Sequence, residues 1–271
     1  MEKAVPIIKG NICGPKISVC LAAYNGAEYI GDQIASILQQ LAPDDELIVI
    51  DDASTDNTVA VVNQFNDPRL KLIKHQTNAG YVKTFQEALQ AAQGEYLFIA
   101  DQDDIWLPGR VAAMCRALDT SDVVATNLAV LDPDNYANVG KGLPGPFGQS
   151  DWHLKRADAQ KNFRNLLGIY AGNRPYYGSA MALRKEALRT ILPFAKYLPE
   201  HYDLWIAIYG NLARSISHLE LRSVAHRFHG ANDTPNRPRW HLIIWTRARL
   251  LLVTAQLGWR ILRNRRAKVN S

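Results

Sequence analysis

The chain of 271 residues has only three cysteines, no glycine-rich phosphate cradle, no long apolar run and, after Asp233, no acidic residue at all. Each absence excludes something. Cys13, Cys20 and Cys115 are odd in number, widely spaced and form no Cys-x-x-Cys pair, so they support neither a disulfide framework nor a zinc site. A reduced, cytoplasmic setting is the expectation. No segment offers about 20 uninterrupted apolar residues for a spanning helix, and residues 1–16 lack the apolar core of a secretory signal. Without Gly-x-Gly-x-x-Gly or Gly-x-x-x-x-Gly-Lys-Ser/Thr, the usual cradles for dinucleotides and for ATP are missing, so a phosphate held here needs a metal.

The missing acids at the C-terminus concentrate the charge. Arg237, Arg239, Arg247, Arg249, Arg260, Arg263, Arg265, Arg266 and Lys268 all fall beyond Asp233, which accounts for the net charge of +5 and leaves the rest of the chain mildly acidic.

What is present is a strand and helix rhythm. Residues 17–22 read as a buried strand broken by the turn signal Tyr24-Asn25-Gly26, and Ile30, Ile34, Ile37, Leu38 and Leu41 then recur at helical spacing. Further strands are expected over 47–50, 70–73, 96–100 and 123–131, with a helix over 82–93 stopped by Gly94. Such alternation predicts an α/β fold with a mostly parallel sheet and helices on both faces. Residues 132–148, rich in Gly, Pro and Asn, predict a long loop, followed by a helix over 157–167, a strand over 179–184, a helix from Lys185 and another carrying Asp203, Trp205 and Leu212.

The richest stretch is Glu95-Tyr-Leu-Phe-Ile-Ala-Asp101-Gln102-Asp103-Asp104-Ile-Trp106, where an apolar strand runs into three carboxylates within four positions. Like charges that close repel, and a bound cation relieves them. The plainer alternative is a solvated acidic turn before the helix near Pro108. Two other polar clusters, Ala23-Tyr24-Asn25 and Asp51-Asp52, also follow strands, so a parallel sheet brings all three to one edge, where open α/β sheets bind ligands. Asp51 and Asp52 suit a base N–H or a ribose hydroxyl, although Asp52 also suits a helix cap.

Ser18-Val-Cys-Leu-Ala-Ala-Tyr-Asn-Gly, Val49-Ile-Asp-Asp-Ala-Ser-Thr-Asp-Asn-Thr and Ala100-Asp-Gln-Asp-Asp-Ile-Trp together resemble glycosyltransferase family 2, the inverting enzymes of the GT-A fold. The likeness covers about residues 16–235. Tyr202-Asp203-Leu-Trp205 and Arg227-Phe-His229-Gly are most similar to the bacterial rhamnosyltransferase-like branch. The resemblance implies a nucleoside-diphosphate sugar as donor, with Ala23, Tyr24 and Asn25 bordering the nucleotide and Asp51 or Asp52 on its base or ribose. Asn78 and Lys83 would lie near the nucleotide, and Asp101, Gln102 and Asp103 at the ribose and metal. It implies Mg²⁺ or Mn²⁺ on Asp101 and Asp103, with His229 a further candidate ligand and Arg227 a candidate phosphate partner. Asp203 is the expected general base, and His201 is both its rival and a candidate on the acceptor side. Trp106, Trp152, Tyr176, Tyr177 and Trp205 are candidates to stack on an acceptor sugar.

The expected organisation is therefore a GT-A domain over 1–235, with a nucleotide-sugar half over 16–131 and an acceptor half over 132–235, and a basic amphipathic tail over 236–271. Arginines interleaved with tryptophans suit an interfacial helix on anionic lipid, and the alternative is an ordinary helix packed on the body. Nucleic acid is not an expected partner, since no recognition module is present. A saccharide or lipid-linked saccharide is the expected acceptor, in bacterial surface polysaccharide synthesis at or near the cytoplasmic face of the inner membrane. A sugar nucleotidyltransferase and a non-catalytic nucleotide-binding assembly partner are the rival functions.

Overall fold

Strand β1 (Ile17–Ala23) is buried at six of seven positions, so both its faces must be covered. The structure, a computed structural model, describes residues 16–131, 142–197, 201–228 and 240–269, with side chains of the last stretch described over 245–267. β1 is flanked in parallel by β2 (Glu46–Asp51) and β4 (Tyr96–Asp101), and β3 (Leu70–Lys74) lies parallel outside β2. Beyond β4 come β7 (Met181–Arg184), antiparallel to it, then β6 (Val123–Val130), β8 (Ile216–His226) and the short β5 (Ile105–Trp106). The sheet order is β3-β2-β1-β4-β7-β6-β8-β5.

The expected parallel character therefore holds for the first half, while β7 and β5 run antiparallel to each of their neighbours. The expected strands and the helix α3 (Tyr81–Ala91) are present. The helix expected over 157–167 begins later, as α5 (Asn162–Ala171), because residues 156–158 form a 3-10 turn whose last carbonyl accepts from the Asn165 side chain. The helix expected at Lys185 likewise opens as a 3-10 turn and continues as α6 (Leu188–Ile191). Of the expected loop over 132–148, residues 132–141 lie outside the described residues.

Alternation along the strands sends successive side chains to opposite faces and builds two cores. On one face Val19, Leu21, Val49 and Phe98 meet Ile30, Ile34 and Ile37 of α1 (Ile30–Leu38), Val62 of α2 (Thr58–Val62) and Met114 and Leu118 of α4 (Arg110–Leu118). On the other, Cys20, Ile48, Leu97 and Ile99 meet Phe85 and Leu89 of α3 and Trp205, Ile206 and Ile208 of α7 (Tyr202–Ala213). Leu250, Val253, Leu257 and Ile261 of the long α8 (Trp240–Val269) belong to this second core, so the tail packs on the body along one face. Among the described residues no helix is long and apolar enough to cross a membrane.

Candidate active site

The register puts the polar clusters side by side. Ala23 pairs with Asp51 and Ala22 with Asp101, so β1, β2 and β4 end level and their following loops share one rim. Gln102 ties two of those loops together: its Oε1 accepts from the Tyr24 N–H at 2.8 Å and its Nε2 donates to the Tyr24 carbonyl at 3.0 Å. Gly26 leaves room for this amide, since a Cβ there would fall 2.2 Å from Gln102 Oε1. Beneath the clasp, buried Gln33 donates to the Asp101 carbonyl at 2.7 Å.

The second loop is fixed to the first. Asn25 adopts a positive φ of 49°, which its short amide side chain tolerates; its Oδ1 accepts from the Thr55 N–H at 2.8 Å, and its own N–H donates to Ser54 Oγ at 2.9 Å. Tyr24 projects beside it, 46% exposed. Asp51 accepts from the Ser54 N–H with one oxygen, while its Oδ1 is buried without a hydrogen-bond partner.

Asp52 behaves differently from the expectation of a free acceptor at the nucleotide. Its carboxylate accepts from the Ala79 N–H at 2.7 Å and the Gly80 N–H at 2.9 Å, and meets His75 Nδ1 at 2.7 Å, so it anchors the segment leading into α3. Burial works against its charge, but these bonds hold it below the usual carboxylate range. Asn78 accepts from the Gly80 N–H in the same turn. Lys83 points into solvent, 63% exposed, 3.6 Å from Glu87 one helical turn on.

The third cluster is crowded with negative charge. Burial, then the charges of Asp104 and Asp103, push Asp101 well above the ordinary range, with Asp203 adding to the effect and His226 opposing it. Asp104 is fully buried; its Oδ1 meets His226 Nδ1 at 2.7 Å and its Oδ2 has no hydrogen-bond partner. Burial disfavours the imidazolium, yet Asp104, then Asp103 and Asp101, raise His226 above its ordinary value. The carbonyl of Asp103 accepts from Arg227 Nε at 3.3 Å, and the Arg227 guanidinium lies 5.0 Å over the Tyr29 ring.

Among the described residues no group of three or more His, Cys, Asp or Glu side chains is arranged to enclose a metal unaided. Asp101, Asp103 and Asp104 do crowd oxygen donors at the end of β4, the ligand type that small divalent cations take. His229, the further candidate ligand, lies outside the described residues.

Asp203 lies in the first turn of α7, on the side of the sheet occupied by α3. It is half-buried and accepts from the Leu204 N–H at 2.7 Å. Burial raises its carboxyl to about 6, against which that hydrogen bond and one from its own N–H act only in part. Tyr177, also half-buried, is near enough for the Asp203 charge to help hold its phenol protonated, after burial, and its ring meets Trp152 edge-on at 6.2 Å between centroids. His201 sits at the N-cap of α7, partly exposed.

Two expected acceptor contacts are corrected. Trp106 is 3% exposed and wedged between Phe98, 5.6 Å away, and the Arg110 guanidinium, 4.5 Å over its ring. Trp205 is wholly buried and donates from its indole to the Ile191 carbonyl at 2.9 Å. Neither can stack on a sugar. Tyr176 is also buried, with its hydroxyl 2.8 Å from His218 Nε2. His226 and Gln33 belong to the site without any motif that singles them out; the one sequence signal for His226 is its place directly before Arg227.

Residues 18–192 match glycosyl transferase family 2. An uncharacterized glycosyltransferase of Haemophilus influenzae is 34% identical over 229 residues, covering 80% of this chain and 66% of that protein. A UDP-Glc:alpha-D-GlcNAc-diphosphoundecaprenol beta-1,3-glucosyltransferase of Escherichia coli, WfaP, is 32% identical over 107 residues, 40% of this chain and 43% of its own. The chain thus spans about two thirds or less of the length of these relatives. The crystal structure of S. aureus TarS 1-349 in complex with UDP-GlcNAc shares the fold, with a TM-score of 0.65 at 21% identity over 90% of this chain and 72% of that one.

Proposed function

The chain belongs to glycosyl transferase family 2, and on that basis we propose that it transfers a sugar, with inversion, from a nucleoside-diphosphate sugar to an acceptor hydroxyl. The observation that carries the reading is a rim of carboxylates at the ends of β2 and β4, level with the polar loop after β1, together with a separate carboxylate, Asp203, that burial raises to about 6. Chemistry that attacks one side of a carbon and expels a diphosphate from the other needs those two poles.

In this reading Tyr24 and Asn25 border the nucleoside, and the unpartnered Asp51 Oδ1 accepts from its base or ribose. Asp103 and Asp101 hold Mg²⁺ or Mn²⁺, an ion that when bound offsets the charge of the departing diphosphate. Arg227 and His226 add positive charge to the same rim. Asp203 takes the acceptor proton as the hydroxyl oxygen bonds to the anomeric carbon, and Tyr177 with Trp152 offers the sugar a partly exposed aromatic wall. Residues 16–131 thus serve the donor, while β7, α7 and their loops serve the acceptor.

We propose a saccharide acceptor, lipid-linked in bacterial surface polysaccharide synthesis, because WfaP carries a diphosphoundecaprenol acceptor in its name. The enzyme would then work at the cytoplasmic face of the membrane. Neither WfaP nor the Haemophilus influenzae protein is named for a rhamnosyl donor, so the reading is of the family and not of that branch. The test is a panel of nucleotide sugars with Mg²⁺ or Mn²⁺, scored by thermal stabilisation and donor hydrolysis. At least one donor should stabilise the wild type only with metal, and Asp103→Asn should remove that stabilisation. Metal-independent binding that Asp103→Asn leaves unchanged would overturn the metal assignment.

A further inference from the structure

Helix α8 is apolar on two sides. Leu250, Val253, Leu257 and Ile261 face the body, where Arg260 donates to the carbonyls of Thr190, Ile191 and Pro193 at 2.9–3.1 Å and lies 5.2 Å over the Trp205 ring. On the opposite side Trp245, Leu251, Leu252, Trp259 and Leu262 are each more than half exposed. At about 100° per residue these five fall within roughly one third of the helix circumference, and they span about 26 Å along the axis. Exposed apolar surface of that extent marks a contact site.

The charges around the stripe choose the occupant. Arg249, Arg263 and Arg266 are exposed beside it, Arg263 lies 4.8 Å over the Trp259 ring, and no acid occurs anywhere in the chain after Asp233. A second copy packed through the same stripe would set arginines against arginines. An anionic surface with an apolar interior satisfies both components, and tryptophans near either end of the stripe suit the boundary between headgroup and acyl chain.

We propose that the outward face of α8 docks on a bilayer containing anionic lipid, lying in the plane of its surface while the inward face holds α7 and hence Asp203. Such docking rests on the reading of a lipid-linked acceptor, which it would bring within reach of the site.

The experiment is co-sedimentation of the full chain with vesicles of phosphatidylglycerol and phosphatidylcholine, against phosphatidylcholine alone. The wild type should partition about tenfold more strongly to the anionic vesicles and lose that preference in ~1 M salt. Leu252→Glu combined with Trp259→Glu, both at exposed positions, should lower partitioning about tenfold or more while leaving thermal unfolding and donor hydrolysis in solution unchanged. Arg263→Gln with Arg266→Gln, which leaves the apolar stripe intact, should remove the preference for anionic over neutral vesicles. Equal partitioning of the wild type and Leu252→Glu/Trp259→Glu would overturn the proposal. So would a wild-type dimer by light scattering that this pair of substitutions converts to monomer. Vesicle binding with no donor hydrolysis on any nucleotide sugar would instead sink the glycosyltransferase reading and leave the docking surface standing.

Discussion

Asp203 is ionised later than an ordinary carboxylate because burial raises it to about 6. A raised carboxyl binds its proton more tightly in the folded chain than in the unfolded one, so its charge at neutral pH destabilises the fold. Asp203→Asn should therefore raise the melting temperature while lowering kcat about 10²–10⁴-fold and leaving donor affinity within about threefold. Calorimetry and single-turnover kinetics measure the two effects; a normal kcat would place the base elsewhere, with His201 the next candidate. The base form exists above its pKa, so kcat in the wild type should fall about tenfold per pH unit below pH ~6. That acid limb should be absent from the residual activity of Asp203→Asn. Legibility at this scale depends on whether one side chain has one use. The carboxylates stand out in sequence, but stacking on a sugar and filling a core ask for the same tryptophan. Burial separates those two uses, with the Arg110 guanidinium over Trp106 and the Arg260 guanidinium over Trp205 covering the ring faces.

At the scale of elements, the segment between β3 and α3 is held by His75, which sits 2.7 Å from both Asp52 and Glu87. Burial opposes its protonation, but the two carboxylates win and raise it above its ordinary value. The stability this bridge contributes is accordingly full below the unfolded histidine pKa of ~6.5 and is lost as pH rises through the higher folded value. His75→Gln should flatten that part of the stability profile in urea titrations taken from about pH 6 to pH 8. The Gln102 clasp carries a second expectation. Gln102→Ala removes both bonds to Tyr24 and should cost about 1–3 kcal/mol while raising donor KM more than it changes kcat. β1, β2 and β4 are legible because each is a short apolar run closed by an Asn-Gly or Asp signal, and β3 because its leucines and isoleucine stand out between polar residues. Three motifs far apart in sequence then end level because β1, β2 and β4 do. β8 is illegible although it is the longest strand, because Ala125 pairs with His218 and Asn127 with Arg222, so that Leu219, Glu220 and Leu221 stand opposite the single Thr126. That bulge leaves Glu220 and Leu221 both exposed and destroys the two-residue alternation that marks a strand. Without β8, His226 has no visible route to Asp104.

For the whole molecule, α8 is part of the core and not an appendage, since its inward residues share one apolar cluster with Cys20 of β1, Leu97 of β4 and Trp205 of α7. Leu257→Ala should therefore cost about 2–5 kcal/mol, as a large-to-small change in a packed core does, and denaturant unfolding measures it. The same loss should lower kcat more than donor affinity, because α7 and Asp203 lean on that helix while the donor rim does not.

The tie between Tyr24 and Gln102 has a kinetic corollary. A rim whose two halves are already joined before any ligand arrives demands little ordering on binding, so the spent nucleoside diphosphate should be held nearly as firmly as the intact donor. Turnover would then be throttled by its own by-product, and a phosphatase that removes it should speed the reaction.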